Sequence, residues 1–234
     1  MSLEEQIADS IAEGKKVYDL VVGKFNEWDK IVKAKMESLN YNNIKTYTVE
    51  NYDELYKIAR TAPVGGVLKI KASEDLKITK ALDMAGGFHL DMAKKKLSFS
   101  LRDDANGAIS MGTNYYGNLL FTVTSATIEV ANNVNSDTGS TYHTPFRAWL
   151  GKLRLILYSS TIELNTGFLI THHSAGVSEL HLKGCIIKKG ENFDDGKLVR
   201  ASGRKLIVYR YSVTLEDDLE WENIVDDIDL VEFR

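Results

Sequence analysis

The chain has 234 residues, of which 44% are hydrophobic and 26% charged, and this length can form one or two domains with a buried core. The net charge of −4 gives no footprint for binding polyanions, so we expect no nucleic-acid partner. The single cysteine, Cys185, excludes an intramolecular disulfide and a cysteine-based zinc site, so we expect no metal and no cofactor. No apolar run approaches the roughly 20 residues of a membrane-spanning helix, and the acidic start argues against a signal peptide, so we expect no membrane insertion and synthesis in a cytoplasm.

The first predicted element is a long amphipathic helix, the N-terminal stem, over residues 1–42. Ser2 and Glu5 have the spacing of a capping box, and apolar residues follow at alternating intervals of four and three, with lapses at Gly14 and Lys35. The predicted oligomerisation positions are Ile7, Ile11, Tyr18, Val21, Phe25, Trp28, Val32 and Leu39. Such a stripe needs a partner, either the rest of the same chain or further copies of it. Its breadth favours three copies, although the spacing does not fix the number.

Residues 43–66 are predicted to connect this helix to a β-rich region. Residues 47–49 are expected to form a short strand, and Asn51 to cap a second helix from residue 52 to about residue 61. Pro63 and the glycines at 65 and 66 end that helix. Because an exposed first β-edge invites aggregation, we expect the short helix to cover it.

Residues 67–234 contain short apolar alternations and one recurring cassette. The alternations lie at 67–70, 76–78, 88–90 and 97–100. The cassettes occupy 121–130, 155–164, 180–189 and 206–215, anchored on Ile128, Ile162, Ile187 and Val213 at offsets of 34, 25 and 26 residues. Each combines two short alternations with a small or polar bend between them, and similar glycine-led segments at 107–111, 167–171 and 196–200 supply a third strand.

The repeat predicts a mainly β fold built as a short parallel β-helix with three strands in each rung, capped by the short helix. The alternation directs Leu155, Leu157 and Ile162 to one interior, where they stack on the next cassette. The competing interpretation is an antiparallel sandwich whose strands are similar by coincidence. The acidic C-terminal stretch, 216–229, is interpreted as a final rung with its cap, or alternatively as a docking surface for a distal protein.

Two N-terminal segments carry a resemblance to a known family. Residues 1–7 read MSLEEQI and residues 18–32 read YDLVVGKFNEWDKIV, with Trp28 where a smaller aliphatic residue is expected. In its MSLE start, its V-x-G-K step and the aspartate-centred helix, this region of about 35 residues resembles the opening of bacteriophage tail fibre and tailspike proteins. The resemblance implies a homotrimeric, receptor-binding fibre of the virion tail. Its N-terminal region would meet other tail or baseplate proteins, and its β-rich part would attach to bacterial surface polysaccharide, capsule or lipopolysaccharide.

The predicted ligand-binding residues lie where the repeat is interrupted. The insertion 131–151 lengthens the first offset to 34 residues, and loops on a rigid scaffold commonly carry function. Its candidate residues are Tyr142, His143, Phe146, Arg147 and Trp149, and a second loop adds Tyr115 and Tyr116. Aromatic rings beside polar groups suit glycans, because sugar C–H faces stack on rings while hydroxyls take polar partners. Alternatively, Phe146 and Trp149 pack over the β-helix or against a neighbouring subunit.

Catalysis is the competing class of function, because some phage spikes are glycan depolymerases that use paired carboxylates as hydrolases, and others act as lyases. The weak candidates are Asp103, Asp104, Glu191, Asp194 and Asp195, whose glycine- and asparagine-bearing loops are typical of solvated turn acids. We therefore predict no catalytic residue and no enzyme activity, with a depolymerase as the alternative. His172 and His173 point to opposite faces of a strand, so they predict no metal site. A structural connector without host contact is the third possibility.

Overall fold

The structure is a computed structural model that describes residues 2–38, 45–80, 82–99, 109–111, 118–131, 145–148, 151–172, 177–201, 205–226 and 228–234. The described chain is mainly β, with parallel sheets and two α-helices. Backbone contacts divide it into two units, residues 1–44 and residues 45–234. Among the described residues, no helix is long and apolar enough to cross a membrane.

The first unit contains one long helix, α1, which runs from Leu3 to Ser38 and confirms the predicted helix. Within the single chain, the apolar side chains at Ile7, Ile11, Tyr18, Val21, Phe25 and Trp28 are 51–69% exposed. Val32 also lies in α1, whereas Leu39 lies outside the described residues. The apolar stripe is thus present on the helix, and its partner stays a prediction.

The second unit begins with β1 and a short helix, α2, and continues almost entirely as strands. The bounds are β1 Thr46–Val49, α2 Tyr52–Ala59, β2 Val67–Ala72, β3 Leu76–Ile78, β4 Leu82–Met84, β5 Gly87–Asp91, β6 Lys96–Phe99, β7 Ile109–Met111, β8 Asn118–Thr124, β9 Thr127–Val130, β10 Phe146–Ala148, β11 Lys152–Tyr158, β12 Thr161–Leu164, β13 Phe168–His172, β14 Ser178–Lys183, β15 Ile186–Lys189, β16 Lys197–Ala201, β17 Leu206–Tyr211, β18 Thr214–Leu215, β19 Val225–Asp226 and β20 Val231–Phe233. Two single-turn 3₁₀ helices, Trp221–Asn223 and Ile228–Leu230, lie among the last strands.

The strands form three parallel sheets, which the chain visits in turn. Sheet A has the order β1-β2-β5-β8-β11-β14-β17-β20, sheet B the order β3-β6-β9-β12-β15-β18, and sheet C the order β4-β7-β10-β13-β16-β19. One pass through A, B and C is a rung, and each strand pairs with its counterpart in the next rung. All the described pairings are parallel, so the antiparallel sandwich is wrong. The stacking is compatible with a parallel β-helix of three-stranded rungs.

The strand register confirms three of the four cassette anchors and corrects the last. Ile128 pairs with Ile162, and Ile162 with Ile187. Ile187 then pairs with Leu215, two residues beyond the predicted anchor Val213. A shift of two residues keeps every side chain on its original face of a strand, so the alternation could not distinguish the two registers.

A bend between sheets A and B recurs in every cassette. Ser125, Ser159, Gly184 and Ser212 occupy this corner with positive φ angles of 53°, 47°, 59° and 54°. The amide of each of the first three donates to the rung above, as when the Ser159 amide donates to the Lys183 carbonyl at 2.8 Å. Cys185, one step inside the corner, is buried, and burial raises the pKa of its thiol. The cysteine therefore fills the interior as a small apolar side chain.

Helix α2 covers the first rung as predicted, although it ends at Ala59 rather than near residue 61. The Asn51 side chain accepts a hydrogen bond from the Glu54 amide at 3.1 Å, which caps the helix. Leu55 and Ala59 are fully buried, and α2 packs on the edge strands β1, β3 and β4. The Tyr52 hydroxyl donates to the Lys80 carbonyl at 2.6 Å, and burial raises the pKa of Tyr52.

The C-terminal residues form the last rung, as the sequence predicted. Strands β18, β19 and β20 have only two or three residues each, and Leu219 and Ile224 are buried beneath them. The Asp217 carboxylate accepts from the Lys189 amide at 3.0 Å. Short edges that carry acidic residues discourage pairing with further chains.

Candidate functional site

The structure places two predicted binding residues inside the β unit. Phe146 and Arg147 lie in β10, which pairs with β7 and β13, and they are 0% and 1% exposed. They are part of a rung rather than of a projecting loop, so their prediction as glycan contacts is wrong for this chain. Tyr115, Tyr116, Tyr142, His143 and Trp149 lie outside the described residues and stay predictions.

The described candidate acids lie in a turn that follows β15. Glu191, Asp194 and Asp195 are exposed there. The turn is built on the buried Asn165, whose carbonyl oxygens accept from the Asn192 amide at 2.9 Å and the Asp194 amide at 2.6 Å. Lys197 pairs with Asp195 at 2.7 Å. This environment favours a structural role for these acids. Asp103 and Asp104 lie outside the described residues.

The most distinctive described surface is the outer side of sheet A on β11, β14 and β17, here called the sheet A face. The buried inward side chains of these strands are leucines, Ser178 and Val208, and the outward ones are polar or aromatic apart from two isoleucines. The outward positions are Lys152, Arg154, Ile156 and Tyr158 on β11, Glu179, His181 and Lys183 on β14, and Ile207, Tyr209 and Tyr211 on β17. Parallel pairing in register therefore sets these side chains in rows across the three strands.

One such row, here called the tyrosine row, consists of Tyr158, Lys183 and Tyr211. The two tyrosine side chains are 52% and 50% exposed. They lie two strands apart, a separation of about 10 Å at the usual strand spacing. The Lys183 ammonium lies 5.5 Å from the centre of the Tyr211 ring. Two half-exposed rings with a lysine on the strand between them form a surface platform that is apolar apart from one charged group.

Tyr209 in the neighbouring row supports one end of the platform, beside Tyr211. Its ring stacks on His181 at 4.2 Å with 14° between the planes, and it lies parallel to Tyr211 at 6.5 Å. The Arg234 guanidinium donates to the Tyr209 hydroxyl at 3.2 Å. These contacts orient the rings of Tyr209 and Tyr211 before any ligand arrives, which lowers the side-chain entropy that binding costs at this end of the row.

A charged cluster lies one row further along the strands. Glu179 accepts from Arg154 at 2.6 Å and lies 2.9 Å from the His181 ring nitrogen. The Arg154 guanidinium, with a smaller effect from His181, holds the pKa of Glu179 below its ordinary value, while partial burial opposes this shift. The carboxylate thus orients both the guanidinium and the imidazole at the surface.

A shallow cleft opens at the beginning of the same strands. Its volume is ≈ 190 Å³, and its lining residues are Leu119, Leu120, Lys152, Leu153, Arg154, Val177 and Glu179. Lys152 is exposed at this end of β11, and Tyr158 lies six residues further along, a distance of about 20 Å. The cleft and the tyrosine row are therefore the two ends of one surface.

Acidification is expected to abolish the stabilisation that Glu179 provides. Because the folded pKa is below the ordinary value of 4.5, this stabilisation is complete above that value and is lost as the pH falls through the folded pKa. Arg154 is half exposed, so Glu179→Gln should cost only about 0.5–1 kcal/mol at neutral pH. Urea unfolding at neutral and acidic pH measures this difference, with Glu191→Gln as control. A deficit that persists unchanged in acid would contradict the prediction.

Sequence reasoning missed the sheet A face because it assigned the cassettes to the scaffold. Within an alternating strand, only the inward half of the residues forms the core. Aromatic side chains at outward positions, such as Tyr158, Tyr209 and Tyr211, were the available signal.

A scan against models of protein families, a search of curated proteins and a search of solved structures each found no match. What the sheet A face can bind is inferred from its own side chains. It combines exposed ring faces with oriented guanidinium, imidazole, carboxylate and ammonium groups. Such a surface can pack against the apolar side of a ring-shaped ligand and hydrogen-bond to its polar edge.

Proposed function

We propose that this chain is the receptor-binding subunit of a bacteriophage tail fibre, and that its sheet A face attaches the virion to a bacterial surface glycan. The observation that carries the proposal is the tyrosine row, where two half-exposed rings and Lys183 lie side by side across three paired strands. Sugar rings present C–H faces that pack on aromatic rings. Their hydroxyl groups would find donors and acceptors in Arg154, Glu179 and His181.

The exposed apolar stripe of α1 supports the trimeric part of the proposal. Large apolar side chains along one helix lose contact with water when copies of the helix associate. A homotrimer would present three sheet A faces to one bacterial surface, and linked sites raise the apparent affinity without new contacts. In this proposal the N-terminal end of the fibre binds other tail or baseplate proteins, and the chain is part of the virion tail.

A panel of purified capsular polysaccharides and lipopolysaccharides tests the proposal with the full chain. We expect the parent protein to bind at least one of them, and Tyr158→Ala and Tyr211→Ala each to weaken binding about fivefold to tenfold, equivalent to about 1 kcal/mol per ring. Phe193→Ala, an exposed aromatic in the turn after β15, is the matched control and should bind as the parent does.

Three outcomes would contradict this function. Release of reducing ends or unsaturated sugars would make the chain a depolymerase rather than an adhesin. Absence of binding to every polysaccharide and to host cells would favour a structural connector. Binding that survives both tyrosine substitutions would place the site elsewhere on the chain.

A further inference from the structure

We infer that the glycan bound by the sheet A face is acidic and lies along the strands, with carboxylates paired to Lys152 and Lys183. This inference rests on the proposed glycan-binding function of the same face and adds the chemical class of the ligand. It also assigns the direction of the ligand on the surface, from the cleft to the tyrosine row.

The charge balance of the face is opposite to that of the whole chain. On β11, β14 and β17 the outward cations Lys152, Arg154 and Lys183 face a single carboxylate, Glu179. The chain as a whole has a net charge of −4. A local excess of positive charge on an acidic protein concentrates anionic ligands at that one surface.

The ion pairs of the face leave two ammonium groups without a carboxylate. Glu179 is already engaged by Arg154 at 2.6 Å and by His181 at 2.9 Å. Within the described part of the chain, neither Lys152 nor Lys183 forms an ion pair. Lys152 lines the cleft, and the Lys183 ammonium lies 5.5 Å from the centre of the Tyr211 ring. Both lysines are therefore available to a ligand.

Sheet B has both paired and unpaired outward lysines. Lys96 pairs with Glu129 at 3.1 Å and Lys188 with Glu163 at 3.3 Å, whereas the exposed Lys77 on β3 forms no ion pair with a described residue. An unpaired lysine therefore does not by itself mark a ligand site. Lys152 and Lys183 differ from Lys77 because they lie on the face that also carries the cleft and the exposed rings.

The spacing of the two lysines fits an extended polymer better than a compact ligand. Lys152 at the cleft and Lys183 in the tyrosine row are about 20 Å apart along the strand direction. The cleft, at ≈ 190 Å³, is smaller than the roughly 300–1,000 Å³ of small-molecule sites, so it accepts a single sugar unit or substituent. Between the two ends, the ligand would pass over Ile156 and His181.

The test uses the full chain with polygalacturonate and hyaluronate, each beside its carboxyl-reduced, neutral counterpart. We expect the carboxylated polymers to bind at least tenfold more tightly, with an affinity that falls as salt is added. The double variant Lys152→Gln/Lys183→Gln should lose about tenfold for the carboxylated polymers, since two exposed ion pairs disappear. Its binding to the neutral polymers should fall much less, because their hydroxyl groups form no ion pair with either lysine. Lys188→Gln, on sheet B, is the control, and circular dichroism checks the fold of each variant.

The outcomes separate the two levels of the proposal. Equal binding before and after carboxyl reduction, or binding of a neutral polysaccharide alone, would overturn the acidic class and leave glycan attachment intact. Binding to no polysaccharide at all would overturn the proposed function as well. If double-stranded DNA binds as tightly as the uronate polymers, the lysines attract any polyanion, and the inference of an acidic glycan is overturned.

Discussion

Replacing Phe121 with alanine should destabilise the β unit by about 3–5 kcal/mol, a large share of the stability of an ordinary domain. Phe121 is fully buried in β8. Its ring lies 4.8 Å from Phe88 in the preceding rung and 6.2 Å from Phe146 in β10 of sheet C. The cavity would therefore remove contacts with both a neighbouring rung and a second sheet. Urea unfolding followed by circular dichroism measures the loss.

Two further variants make this result specific to the stacked core. Phe121→Leu keeps most of the buried volume, so it should cost about 1.5 kcal/mol or less. Phe193→Ala removes a ring that is 37% exposed in a turn and should cost far less than Phe121→Ala. If Phe121→Ala and Phe193→Ala unfold at the same urea concentration, the aromatic stack does not hold the rungs together.

The stacked rungs were predictable because each rung imposes the same packing requirements, so a similar residue pattern recurs along the sequence. Parallel strands in register place equivalent residues above one another, so Ile128, Ile162 and Ile187 recur in the same lettering. The corner recurs as well, with a small residue, Ser or Gly, at each bend of positive φ, an angle that only Gly184 adopts without strain.

Other parts of the fold were not predictable from the pattern. Strands β4 and β10 have three residues each and lie outside the alternations and glycine-led segments that recur in the sequence. Phe146 and Arg147 therefore looked like members of a long binding loop, and only the pairing of β10 with β7 and β13 shows that they belong to a rung.

The candidate site was less predictable than the fold, for a physical reason. Core side chains must pack against those of the rungs above and below, so few residue types fit. The resulting pattern of apolar residues can be recognised in the sequence. Outward positions such as Tyr158 and Lys183 meet water, and many residue types are compatible with the same strand. That Tyr158 and Lys183 form one surface row with Tyr211 is evident only from the strand register.

Introducing negative charge into the apolar stripe of α1 should convert the proposed trimer into monomers. In Val21→Glu/Phe25→Glu, the new carboxylates would face one another across the bundle axis, where desolvation and like-charge repulsion both oppose association. Val21 and Phe25 are exposed in the single chain, so the substitutions leave the contacts of an isolated chain largely unchanged. Equilibrium sedimentation should give three chains for the parent and one for the variant.

The matched control is Lys16→Glu, which changes the net charge by the same amount. Lys16 lies about 140–180° around the helix from Val21 and Phe25, so this variant should remain trimeric.

Dissociation should also weaken binding to a polymeric glycan about a hundredfold or more, while binding to short fragments stays constant, because only linked sites gain from avidity. A parent protein that sediments as a monomer, or a double variant that stays trimeric, would contradict the coiled-coil stem. If the dissociated variant binds fragments as the parent does, each chain has a complete glycan site, and the stem contributes only by linking three such sites.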